Sequence, residues 1–183
     1  MMKGWLLLAA VVLLFGCDKT SPEDSSQNPD FSQFAVVADM QPAQAGVVAP
    51  DFSYTLLDGR TGKLSDEHGK IVMLNFWATW CYPCKREMPD LDKLQAYMKG
   101  KPFRLLTVSA SQGVEQVAPY TRKFPYPFDY VLDPQSILSE LYKVDMLPTT
   151  LIIDKNGVIL AKAIGPRQWS SPEFFRQMDI LAK

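Results

Sequence analysis

Midway along the chain, the stretch from Ile71 to Trp77 is apolar at every position except Asn75. This suits a strand buried on both faces, as parallel and mixed sheets require. The period then changes. Cys84, Met88, Leu91, Leu94 and Met98 fall on one helical stripe, which predicts a helix from Tyr82 to Lys99, ended by Gly100. Pro83 fits the first turn, where no N–H is missed, whereas Pro89 removes an internal bond and predicts a bend near Lys85. Further strands are predicted over 103–109 and 128–132, and further helices over 114–123 and from Asp133-Pro134 to about Lys143. Residues 149–154 and 158–164 around Lys155-Asn156-Gly157 predict an antiparallel hairpin. A second hairpin is predicted over 51–63, turning at Asp58-Gly59. Ser171 and Pro172 are cap and first residue of a last helix. Strands and helices that alternate and then close with a hairpin and a helix predict a mixed α/β sandwich around an interior sheet.

The two ends of the pattern differ from this. Residues 1–16 hold a lone Lys3 and an apolar run from Trp5 to Phe15, about half of the ~20 residues that span a bilayer, and so predict a signal peptide. Residues 17–44 turn to Ser, Pro, Asp, Gln and Asn without sustained periodicity and predict a flexible tether, although 31–40 is apolar enough to pack on the domain. The domain itself is expected over 45–183. The sequence has 183 residues, with 19 basic and 20 acidic side chains. That is room for one domain, and the near-balance gives no electrostatic footprint for nucleic acid or anionic lipid.

Three cysteines are present. Cys17 closes the leader; Cys81 and Cys84 form a C-x-x-C between the buried strand and the helix. Their loop is too short for much chain-entropy stabilisation, so the pair points to chemistry. A zinc site needs two more ligands, but there is no second C-x-x-C and the single histidine, His68, lies in a polar turn. No metal is expected. A helix N-terminus offers free N–H groups and a positive dipole end, both favouring a thiolate. Cys81 is therefore expected to be the more acidic and solvent-facing thiol, with Cys84 facing inward. Lys85, beside the pair, reads as part of a solvated face.

Leu14-Phe15-Gly16-Cys17 resembles the bacterial lipobox. The resemblance implies lipidation of Cys17, and Asp18 after it implies retention in the inner membrane. The protein is then tethered facing the periplasm; a soluble periplasmic or outer-membrane form is the alternative. Trp80-Cys81-Tyr82-Pro83-Cys84, flanked by Asn75 to Thr79 and Lys85 to Pro89, resembles the active-site signature of the membrane-anchored TlpA/ResA group of thioredoxin-like proteins. Leu147-Pro148-Thr149-Thr150 and the hairpin at Ile153 to Gly157 extend the resemblance from about Pro50 to the last helix. It implies a thioredoxin-like three-layer α/β/α sandwich with a mixed sheet and an N-terminal hairpin extension. It also implies a cis bond before Pro148, with the backbone at Leu147 pairing with the substrate chain. Trp80, Tyr82 and Pro83 are expected to shape the contact surface.

Asn75 occupies the position where cytoplasmic thioredoxin places a titrating aspartate. Glu87, three residues after Cys84, leans toward the apolar stripe, where burial raises a carboxyl's pKa into a useful range for acid/base work. The resemblance assigns that role to Glu87; a solvated first-turn acid is the alternative. The expected activity is extracytoplasmic thiol:disulfide exchange. Cys81 attacks, Cys84 resolves, and no cofactor is needed beyond the redox-active pair. Expected partners are protein disulfides or dithiols, for example in cytochrome c maturation, and a membrane electron donor; a monomer is expected. A thiol oxidase, a thiol peroxidase and a copper-binding module using His68 remain as alternatives.

Overall fold

The computed structural model of the protein describes residues 39–44 and 46–183. The expected signal peptide, Cys17 and most of the expected tether lie outside the described residues. The strands are β1 (Gln41–Pro42), β2 (Ser53–Thr55), β3 (Thr61–Lys63), β4 (Ile71–Trp77), β5 (Phe103–Ala110), β6 (Asp129–Asp133), β7 (Thr149–Ile153) and β8 (Ile159–Ile164). The helices are α1 (Tyr82–Tyr97), α2 (Val114–Lys123), α3 (Ile137–Leu141) and α4 (Pro172–Ala182).

All of β4 is buried, as its apolar run predicts, because it lies in the middle of a six-stranded sheet of order β1-β8-β7-β4-β5-β6. It pairs in parallel with β5 and antiparallel with β7, so the sheet is mixed. Alternate side chains point to opposite faces. Ile71, Met73 and Trp77 enter a core with Met88, Leu91 and Leu94 of α1 and Phe174 and Met178 of α4. Val72, Leu74 and Phe76 enter a second core with Leu138, Tyr142, Phe52 and Tyr54. Each such fully buried side chain contributes about 1.5–3 kcal/mol relative to exposure. The result is the expected three-layer thioredoxin-like sandwich. By parity Asn75 shares the face covered by α1.

The hairpin of β2 and β3 forms its own two-stranded sheet, reaching the main one through a bridge from Leu56 to Val131. In the turn between β7 and β8, the Asp154 carboxylate accepts N–H bonds from Asn156 and Val158. Gly157 there takes φ 81°, a left-handed conformation that suits a residue without Cβ. Ser171 caps α4, its hydroxyl oxygen accepting the Phe174 N–H.

Several boundaries differ from expectation. The α1 helix ends at Tyr97 rather than Lys99, with Met98 as its cap, and Pro89 lies inside it without interrupting it. The helix expected from Asp133 to Lys143 is only Ile137–Leu141. Asp133 ends β6 instead, and its buried carboxylate accepts the N–H groups of Leu138 and Ser139 at 3.0 Å each. Between them Ser136 is left-handed, φ 62°, which no continuous helix allows. The packed chain also reaches back ahead of residue 45. Met40 is buried in the α1-side core, and Gln41 and Pro42 pair with Lys162 and Ala161, because the open edge of β8 presents unpaired backbone groups. Among the described residues no helix is long and apolar enough to cross a membrane.

Candidate active site

Residues 78–81 carry the chain from the end of β4 into α1. Gln112 clamps this turn from the loop after β5: its side-chain carbonyl accepts the Thr79 N–H at 2.7 Å, and its amide donates to Thr79 Oγ1 at 2.8 Å. Cys81 is the N-cap of α1, and its Sγ accepts the Cys84 N–H at 3.3 Å. The two cysteines form a disulfide, with sulfurs 2.05 Å and Cα atoms 5.3 Å apart. Cys81 keeps 4% of its surface and Cys84 none. The solvent-facing Cys81 of the sequence reading is thus nearly covered in the oxidised pair, because its sulfur turns back toward the helix. Trp80 and Tyr82, each 68% exposed, stand on either side of it, and Pro83 takes the first turn of α1.

The peptide bond between Leu147 and Pro148 is cis. Because Phe76 pairs with Thr149, Pro148 lies one step further along, at the end of β4 that leads to Cys81. Trp80, Met146 and Leu147 line a groove of about 620 Å³ together with Ser111, Ser136 and Lys143. No hydrogen bond among the described residues uses the Leu147 backbone.

Glu87 is buried at 3% exposure on the face of α1 that carries Cys84. Its carboxylate meets three donors. Asn75 Nδ2 reaches Oε1 at 2.9 Å, and Trp169 Nε1 and the Arg167 N–H reach Oε2 at 2.9 and 3.1 Å. Burial pushes its pKa up to about 7, and the bonds from Asn75, Trp169 and Arg167 pull against that rise. Glu87 is therefore not a solvated first-turn acid. Asn75 does not titrate but is part of the site, donating also to Thr150 Oγ1 at 2.9 Å.

Arg167, Trp169 and Gln112 are site residues that the sequence patterns do not mark, whereas Thr150 belongs to the Leu147-Pro148-Thr149-Thr150 motif. Trp169, in a polar segment between β8 and α4, is the one with a signal, since a buried indole N–H needs an acceptor. His68 is exposed and precedes β4, whereas the cysteines follow it. The seven residues of β4 put roughly 20 Å between them at ~3.3 Å per residue. His68 therefore cannot supply the imidazole that a copper-binding module needs.

The AhpC/TSA family model matches residues 45–162. A thiol-disulfide oxidoreductase ResA of Bacillus cereus is 32% identical over 178 residues, covering 97% of this chain and 98% of that one. This chain belongs to the AhpC/TSA family and is of its thioredoxin-like ResA type. A second ResA, from Geobacillus kaustophilus, is 42% identical over 114 residues, which span 62% of this chain and 66% of that protein. Among solved structures, an exposed lipoprotein thioredoxin of Streptococcus pneumoniae superposes with a TM-score of 0.64 at 30% identity, covering 72% of this chain and all of that one. The ResA-type pattern thus spans the redox pair, the cis proline and the closing hairpin.

Proposed function

We propose that the protein is an extracytoplasmic thiol:disulfide oxidoreductase that reduces disulfides in exported proteins, as the ResA-type relatives are named for thiol-disulfide exchange. The observation that carries the reading is the Cys81–Cys84 disulfide capping α1, where the helix N-terminus favours a thiolate on the first cysteine. In the reduced protein, the Cys81 thiolate attacks one sulfur of a substrate disulfide. A mixed disulfide forms and the other substrate sulfur leaves as a thiolate. Cys84 gives its proton to the Glu87 carboxylate and attacks Cys81 Sγ. The second substrate sulfur leaves, two electrons have passed to the substrate, and the protein holds the Cys81–Cys84 disulfide.

A carboxyl titrating at about 7 has both forms present at neutral pH, as proton exchange requires. The unpaired backbone at Leu147 offers an extended substrate segment a strand to add to, and Trp80, Tyr82 and Pro83 frame the approach. The cysteine pair carries the electrons without a further cofactor. A membrane electron donor returns it to the dithiol form, and apocytochrome c is one client class. Lipidation of Cys17 would hold the domain at the outer face of the inner membrane; the lipoprotein character of the pneumococcal neighbour and the Leu14-Phe15-Gly16-Cys17 segment support this.

The deciding experiment is Cys84→Ser in cells. With no resolving thiol, Cys81 is expected to accumulate mixed disulfides with exported proteins, separable on non-reducing gels. Absence of any adduct from a folded, exported protein overturns the reading. Fast consumption of hydrogen peroxide by the reduced wild type would move it to a peroxidase.

A further inference from the structure

Two of the three donors to Glu87 are fixed by burial: Asn75 and Trp169 are fully enclosed. The third is a peptide N–H on the irregular segment between β8 and α4, which no ladder or helix holds. The Arg167 side chain supplies the missing constraint. Its Nε donates to the Asp39 carbonyl at 2.8 Å and lies 3.3 Å from the Asp39 carboxylate. Its Nη1 donates to the carbonyls of Ile164, Gly165 and Pro166 at 3.3, 3.3 and 3.0 Å. The guanidinium thus folds back on its own loop and on the first described residue. The same loop is tied to the substrate side of the site, since the Gly165 N–H donates to the Pro148 carbonyl at 2.8 Å.

We propose that Arg167 is a positioning residue: by gathering these carbonyls it holds its own N–H against Glu87, linking Asp39 and the cis-proline loop to the carboxyl. Its importance for exchange rests on the proposed proton-handling role of Glu87; the positioning itself does not. Asn75 from β4 and Trp169 and the Arg167 N–H from the β8–α4 segment hydrogen-bond Glu87, and the charged groups that share its cavity are Arg86 and Asp90 from α1, Arg167, and Asp39, the first described residue. Arginine's planar fork suits several acceptors at once, whereas lysine keeps only the charge.

The test is a pH titration of the Glu87 carboxyl carbon by NMR in full-length wild type, Arg167→Ala and Arg167→Lys, with the signal assigned by its loss in Glu87→Gln. Arg167→Ala keeps the peptide N–H but no longer holds it against Glu87, and it removes a positive charge, so the midpoint is expected to rise by roughly half a pH unit or more. Arg167→Lys, which conserves charge and gives a second chance of a folded variant, is expected to show at least half of that rise. An unchanged midpoint in Arg167→Ala overturns the proposal, as does a fall, which would mean that the side chain mainly excludes water. A wild-type midpoint in Arg167→Lys beside a raised one in Arg167→Ala also overturns it, reducing the effect to charge. The proton role of Glu87 is judged separately: an identical pH profile of exchange in Glu87→Gln and wild type would end that reading while leaving the titration result standing.

Discussion

At Glu87 burial and hydrogen bonding act in opposite directions, and burial wins: the group titrates at about 7 instead of 4.5. A carboxyl whose folded pKa is raised stays protonated in the native state while the unfolded chain has already ionised. Stability contributed this way is fully present below pH 4.5 and is lost as pH rises to about 7, by about 3 kcal/mol in all. Glu87→Gln removes that dependence, but an amide cannot accept from Asn75 on one oxygen and from both Trp169 and Arg167 on the other. The variant therefore starts lower at pH 4.5 and loses ground more slowly. Urea midpoints from pH 4.5 to 8 are expected to fall more steeply in the wild type; parallel curves would show that Glu87 is not the titrating group. The resolving step is expected to slow in Glu87→Gln and to lose its pH dependence near 7, read by stopped-flow exchange with a model disulfide.

The elements were more legible in the sequence than the contacts between them. The apolar run of β4, broken only at Asn75, and the stripe of α1 follow from local periodicity, and so does the placing of Cys81 and Cys84 at their junction. Glu87 was legible because it lies one turn from Cys84. Arg167 and Trp169 lie 80 and 82 positions away, where no periodicity reaches. The late start of α3 escaped for another reason: a buried carboxylate at Asp133 takes the first N–H groups of the helix from outside it. Gln112 belongs with these long-range contacts, and it controls the strand-to-helix turn. Gln112→Ala leaves the Thr79 N–H without its partner, at a cost of about 1–3 kcal/mol. We expect a lower urea midpoint and slower attack by Cys81, since the turn that aims the thiolate is loosened. Unchanged attack by a destabilised variant would show that the turn holds its shape without the clamp.

At the scale of the whole molecule, the redox site and the charge network that holds the β2–β3 hairpin occupy opposite ends of one sheet. The cysteines follow the C-terminal end of β4, whereas Glu67, Arg104 and Asp129 lie at or just before the N-terminal ends of β4, β5 and β6. There Asp129 accepts from Arg60 of the β2–β3 hairpin and from Arg104 of β5, each at 2.7 Å. Buried Glu67 accepts from Lys70 and from the Tyr54 hydroxyl, with Arg104 Nε at 3.4 Å. The network fastens the hairpin to the sheet beside the Leu57 N–H, which donates to the Tyr130 carbonyl. Asp129→Ala removes the shared acceptor while Arg104 keeps Glu67, so the expected loss is local and on the order of 1 kcal/mol. Hydrogen exchange at Leu56 and Leu57 should then quicken about fivefold, and less so in high salt, where the wild-type pairs are already screened. Thiol-disulfide exchange should keep its wild-type rate, because the cis proline, Gln112 and the Glu87 donors are anchored at the other end. A matching fall in that rate would mean that the hairpin and the redox site form one cooperative unit, against the division of the sheet described here.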